Sequence, residues 1–114
     1  MDKAAFLSTV PPADSARTGM LLDYASAAAA MGYEVLVFLA LDGVLLVKKE
    51  VFERLNENIK KKFEDAVKLG VKFVACSAAV QGYGVKNFCR NDIDVWGVGS
   101  FYDYASTAKF IISL

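Results

Sequence analysis

Two cysteines and no histidine decide which chemistry this 114-residue chain can carry. Without imidazole there is no Ser-His-Asp triad, no Cys-His dyad and no His-ligated metal. The thiol of Cys76 is the outstanding nucleophile that remains. It ends the apolar run Val71 to Cys76 (VKFVAC), and Ser77-Ala78-Ala79 after it can open a helical turn. A thiol so placed is expected to face backbone N–H groups and the positive end of that turn, a setting that lowers a cysteine pKa. The alternative is a small hydrophobe at the edge of the core, since free cysteine is among the most buried residue types. Cys89 lies in the polar stretch KNFCRND, where Lys86 and Arg90 could favour a thiolate able to resolve a bond to Cys76. Filling a gap under a loop is its other reading, and a bridge would need the two Cα atoms within about 7 Å. Their spacing fits neither a disulfide scaffold nor a zinc site, so free thiols are expected, with no metal and no cofactor.

The elements that must position Cys76 follow from periodicity and punctuation. Lys3 to Val10 reads as a buried strand ended by Pro11-Pro12. Asp14 or Ser15 then caps an alanine-rich helix that runs to about Met31 and stops at Gly32. Tyr33 to Leu41 (YEVLVFLAL) is almost wholly apolar, as a parallel strand covered on both faces must be. Val44 to Val47 is too short for its period to decide anything. From Glu50 to Leu69 the residues Phe52, Leu55, Ile59, Phe63 and Ala66 recur at helical spacing up to Gly70. Val71 to Cys76, Asp94 to Val98 and Lys109 to Ser113 complete five strands, with a short helix around Phe101 to Ser106. Strands alternating with helices predict a three-layer α/β/α domain over 1–114, built on a five-stranded parallel sheet with right-handed crossovers.

Open parallel sheets bind ligands beyond the carboxyl ends of their strands, which brings Ser8, Thr9, Asp42, Gly43, Cys76, Ser77, Gly99 and Ser100 into view. Asp42-Gly43 could set a carboxylate at the end of the second strand, although a turn explains the pair as well. The loop after the first strand has no phosphate-binding glycine motif, and its prolines remove N–H donors, which weakens nucleotide binding. Lys plus Arg and Asp plus Glu are 13 each, so no basic excess invites nucleic acid or anionic lipid. No apolar stretch approaches the roughly 20 residues that span a bilayer, and the N-terminal run is too short for a signal peptide, so a cytoplasmic location is expected. With 55% hydrophobic and 23% charged residues the chain carries more apolar surface than one small domain hides easily, which favours self-association.

Three segments together resemble the DsrE/DsrF-like sulfur-relay proteins: MGYEVLVFLALDGVLLVKK, GVKFVACSAAVQGYGV and DVWGVGSFYDYASTAKFIISL. The second is the most specific, with a cysteine ending its strand and small residues and an aromatic-glycine pair following. The resemblance covers nearly the whole chain. It implies a five-stranded parallel sheet between helices, a homo-oligomer (trimer or hexamer), and Cys76 as a carrier that accepts sulfane sulfur as a persulfide. Ser77 and the Gly82-Tyr83-Gly84 loop would shape its surroundings, and no role passes to Cys89. Sulfur donor or acceptor proteins would be the partners of such a sulfurtransferase-type relay.

Three readings follow. The first is a persulfide carrier acting through Cys76. The second is a non-catalytic assembly or small-ligand-binding subunit of the same fold, which could use the aromatic cluster Phe101, Tyr102 and Tyr104. The third is a peroxide-reducing thiol enzyme with Cys76 and Cys89 as its pair.

Overall fold

The computed structural model describes all 114 residues, Met1–Leu114. Five parallel strands, β1 (Lys3–Ser8), β2 (Glu34–Leu39), β3 (Lys72–Cys76), β4 (Asp94–Trp96) and β5 (Ala108–Ser113), stand in the order β4-β3-β2-β1-β5. The helices are α1 (Ser15–Ala30), α2 (Lys49–Phe52), α3 (Glu57–Lys68), α4 (Ser77–Gly82) and α5 (Val98–Ala105), and a 3-10 segment spans Leu41–Val47. None of the helices is long and apolar enough to cross a membrane.

Apart from Ala75, which groups with Val74 and Cys76, the buried side chains of the inner strands alternate between two apolar clusters, as a pleat of period two requires. Ala4, Phe6, Val35, Val37, Leu39 and Phe73 pack with Leu21, Leu22 and Ala25 of α1 and Ile59, Phe63 and Ala66 of α3. Ala5, Leu36, Phe38, Val74 and Cys76 face the other way, onto Ala79 of α4 and Phe101 and Ala105 of α5. The sheet thus lies between two helical layers, as expected. Small residues let α1 sit low on it. The Asp14 side chain caps α1 by accepting from Arg17 N at 3.0 Å, and Gly32 and Gly70, at φ +97° and +95°, supply the left-handed stops after α1 and α3.

Two expectations needed correction. The long helix of Glu50 to Leu69 is two helices, because Asn56 takes the N-cap position of α3 and its side chain accepts from Ile59 N at 2.9 Å. Asp42-Gly43 is no isolated turn but the start of the 3-10 segment, which runs through the undecided Val44 to Val47. The fourth and fifth strands are the sheet edges, so the apolar residues Val95, Phe110 and Ile111 are 46%, 46% and 60% exposed.

Candidate functional site

All strands being parallel, Ser8, Leu39, Cys76, Trp96 and Ser113 end on one edge of the sheet. Cys76 pairs in register with Trp96 of β4 and is also the N-cap of α4. The strand's alternation, which groups Cys76 with Val74, turns the thiol into the cluster beneath α4 and α5, where it is 6% exposed. It accepts no capping hydrogen bond from α4, so the expected ring of N–H donors around the sulfur is absent. The same parity that carries β3 into the core carries its last side chain with it.

Ser77 is exposed beside β4, and a Cβ built on Gly97 would lie 3.9 Å from its Oγ. Asp42, Tyr83 and Gly43 also meet near this edge. The Tyr83 hydroxyl donates to the Asp42 carboxylate, which holds the phenol proton and raises the Tyr83 pKa. Gly43 lies against the backbone of Ser8. Gly84 takes the left-handed turn after Tyr83 at φ +60°, whereas Gly82 has open space around its Cβ position and ordinary backbone. Ser8 and Thr9 serve the fold: Ser8 Oγ accepts from Val10 N, and Thr9 donates to the Leu114 carbonyl. Gly99 and Ser100 are exposed in the first turn of α5.

Sequence reading missed two residues at this edge. Lys48 donates from Nζ to the Tyr83 carbonyl at 3.3 Å, a pairing 35 positions apart that no local pattern announces. Leu41 holds φ +47°, the left-handed region in a residue other than glycine, at the entry to the 3-10 segment.

Cys89 belongs elsewhere. It is half-buried against the cluster of α1 and α3, on the opposite face of the sheet from Cys76, and both thiols are free. The gap-filling reading fits this place, and a thiolate is disfavoured there because burial pushes the Cys89 pKa from 9.0 up to about 11. Arg90, the cation meant to lower it, is paired with Asp92 at 2.9 Å. Alkylation of Cys89 in a Cys76→Ser variant should therefore climb with pH to half its limiting rate only near pH 11. A midpoint near that of a free thiol would contradict this. The sign of the linked stability is fixed too: the folded chain keeps a proton that the unfolded chain sheds, so this contribution is complete below pH 9 and lost as pH rises to about 11.

A family model for the DsrE/DsrF-like proteins matches residues 2–114. The chain belongs to the DsrE/DsrF-like family. None of the curated proteins matches it in sequence. Among solved structures, the ychN protein of E. coli is similar in fold at a TM-score of 0.84 and 16% identity, with 100% of both chains covered. A protein of unknown function from Methanobacterium thermoautotrophicum follows at 0.74 and 19%, again covering 100% of each chain. A conserved protein of unknown function from Bacteroides thetaiotaomicron superposes at 0.71 and 20%, over 99% of this chain and 95% of that one. At such identities the likeness of this DsrE/DsrF-like chain to the three is one of fold, and it agrees with the five-stranded parallel sheet between helices.

Proposed function

We propose that this DsrE/DsrF-like chain is a sulfur carrier that holds sulfane sulfur as a persulfide on Cys76. The observation that carries the reading is the place of Cys76, at the carboxyl edge of a parallel sheet where a helix begins, in a chain of this family. In the transfer, the Cys76 thiolate attacks the outer sulfur of a donor persulfide, R–S–SH. One S–S bond forms, the donor's S–S bond breaks, R–S⁻ leaves, and Cys76–S–SH remains. An acceptor thiolate repeats the step on Cys76. No histidine is needed for an exchange between thiolates. Burial suits the cargo, because a covered persulfide is withheld from stray thiols and oxidants that would remove it.

Intact-mass measurement after incubation with thiosulfate or polysulfide tests the reading. A gain of about 32 Da, one sulfur atom, is expected in the parent and in Cys89→Ser and absent in Cys76→Ser. An adduct that survives Cys76→Ser, or none in any of the three, would sink it.

The assembly-subunit reading has its own support. A groove of ≈ 400 Å³ between α1 and β5 is lined wholly by apolar side chains, among them Tyr24, Met31 and Phe110, and the β5 edge beside it has no further strand to pair with. Apolar surface of this kind favours a homo-oligomer. The aromatic cluster gives less, since Phe101 is buried on Phe38 and the Tyr104 hydroxyl is spent on the Glu34 carbonyl at 3.0 Å. The peroxide-reducing pair is disfavoured by the two faces on which the thiols lie.

A further inference from the structure

The helix that follows Cys76 is held down at its C-terminal end from two directions, and the chain beyond it is tied by Lys49 N to the Asn87 carbonyl and by Cys89 N to the Val47 carbonyl. α4 has six residues and buries only Ala79. Helices shorter than about 12 residues are marginal in water by themselves, so α4 depends on its ends. At its C-cap, Tyr83 meets the 3-10 segment twice: its hydroxyl donates to the Asp42 carboxylate, and its carbonyl accepts from Lys48 Nζ. Asp42 is the second residue of that segment and Lys48 its C-cap, while Val44, Leu46 and Val47 between them are buried. The two polar groups are thus anchored in the core, and α4 is anchored to them. Cys76 shares its cluster with Ala79 of α4, Val44 of the 3-10 segment and Val85 just beyond Tyr83.

We propose that Asp42, Lys48 and Tyr83 form a latch that keeps α4 closed over Cys76, and that its release exposes the thiol while the sheet stays folded. That a reacting sulfur donor uses this opening rests on the carrier reading above; the latch itself does not. Opening moves the six-residue helix and its link as far as Val85, with the side chains of Ala79 and Val85 to lift out, while Asn87 and Cys89 stay bonded to the Lys49 and Val47 backbone. The sheet pairing of β3 ends at Cys76, opposite Trp96, and is untouched.

Iodoacetamide labelling of Cys76 under native conditions tests this, in a Cys89→Ser background so that one thiol is read. Tyr83→Phe keeps the ring and the carbonyl and removes only the hydroxyl. A hydrogen bond to a charged group is worth a factor of about ten or more when fully buried, and Tyr83 is partly exposed, so the labelling rate is expected to rise about fivefold. Lys48→Met should move it the same way. Tyr102→Phe makes the same chemical change on a tyrosine that is 67% exposed outside the latch, and should leave the rate alone. Cys89, a half-buried thiol on the other face of the sheet, is read in Cys76→Ser with and without Tyr83→Phe and should keep its rate. An unchanged Cys76 rate in Tyr83→Phe, or equal acceleration of both thiols, overturns the latch. Latch-dependent labelling without any persulfide would count against the carrier reading alone; sulfur uptake with latch-independent labelling would count against the latch alone.

Discussion

Gly43→Ala is expected to destabilise the chain by about 3 kcal/mol, although it adds a single methyl group. A Cβ at Gly43 would run onto the Ser8 carbonyl oxygen and sit 3.1 Å from the Ser8 carbonyl carbon and 3.4 Å from Thr9 Cα. These are backbone atoms, so no rotamer change clears the way. The same Ser8 oxygen accepts from Ala40 N at 3.0 Å, and Gly43 N donates to Ala40 O at 2.9 Å. The methyl must either break the link between β1 and β2 at their carboxyl ends or lift the 3-10 segment from the sheet. Gly82→Ala makes a useful contrast. Gly82 lies in α4 at ordinary φ with nothing within 4 Å of its Cβ position, so a gain of about 0.5 kcal/mol is expected from the stiffer unfolded chain. Urea denaturation of the two variants reads both signs. A Gly43→Ala variant within about 0.5 kcal/mol of the parent would show that the 3-10 segment can shift freely.

That contrast marks what local sequence carries. DG after an apolar strand announces a turn, and a turn alone explains neither glycine's need for space nor its neighbour across the sheet. The parallel sheet was legible because β2 is apolar along its whole buried length, which only a strand covered on both faces tolerates. The stops at Gly32 and Gly70 were legible because a left-handed C-terminal position favours glycine wherever it occurs. The break before α3 was hidden, since Phe52, Leu55 and Ile59 keep helical spacing straight across the Glu53 to Asn56 turn. A side-chain cap at Asn56 outweighed a pattern that needed no interruption.

At the site, the position of Cys76 followed from strand order, whereas the choice between an N–H-facing thiol and a core-edge hydrophobe stayed open until the structure buried it. The electrostatics did not follow. A helix beginning at a residue does not aim its N–H groups at that residue's side chain, and here the thiol turns to the core instead. Cys89 shows the same limit: charged neighbours in sequence, Lys86 and Arg90, lose to burial once Arg90 is taken by Asp92. The pairing of Asp42 with Tyr83 spans 41 positions and depends on β2 and β3 being adjacent in the sheet. Residues from both ends of it could be singled out from the sequence, but their meeting could not.

Phe38→Ala should cost about 3–5 kcal/mol and should also change which thiol is reached first. Phe38 is 2% exposed on the central strand and stacks on Phe101 with ring centroids 4.8 Å apart. Truncation leaves a cavity between β2 and α5, in the cluster that contains Cys76. A loss of this size is a large part of the 5–15 kcal/mol typical of a domain, and the melting temperature should fall by about 15 °C or more. Phe63→Ala is its mirror across the sheet: Phe63 is 1% exposed, stacks on Phe73 at 4.5 Å and is expected to cost a similar amount, but its cavity opens on the Cys89 side. If the two helical layers can loosen independently, Phe38→Ala speeds native-state alkylation of Cys76 more than of Cys89, and Phe63→Ala does the reverse. The rates are to be compared well below each variant's unfolding transition, where whole-chain opening is rare. Equal acceleration of both thiols in both variants would mean that the sheet transmits every core defect to both faces, and that Cys76 is reached only when the whole chain opens.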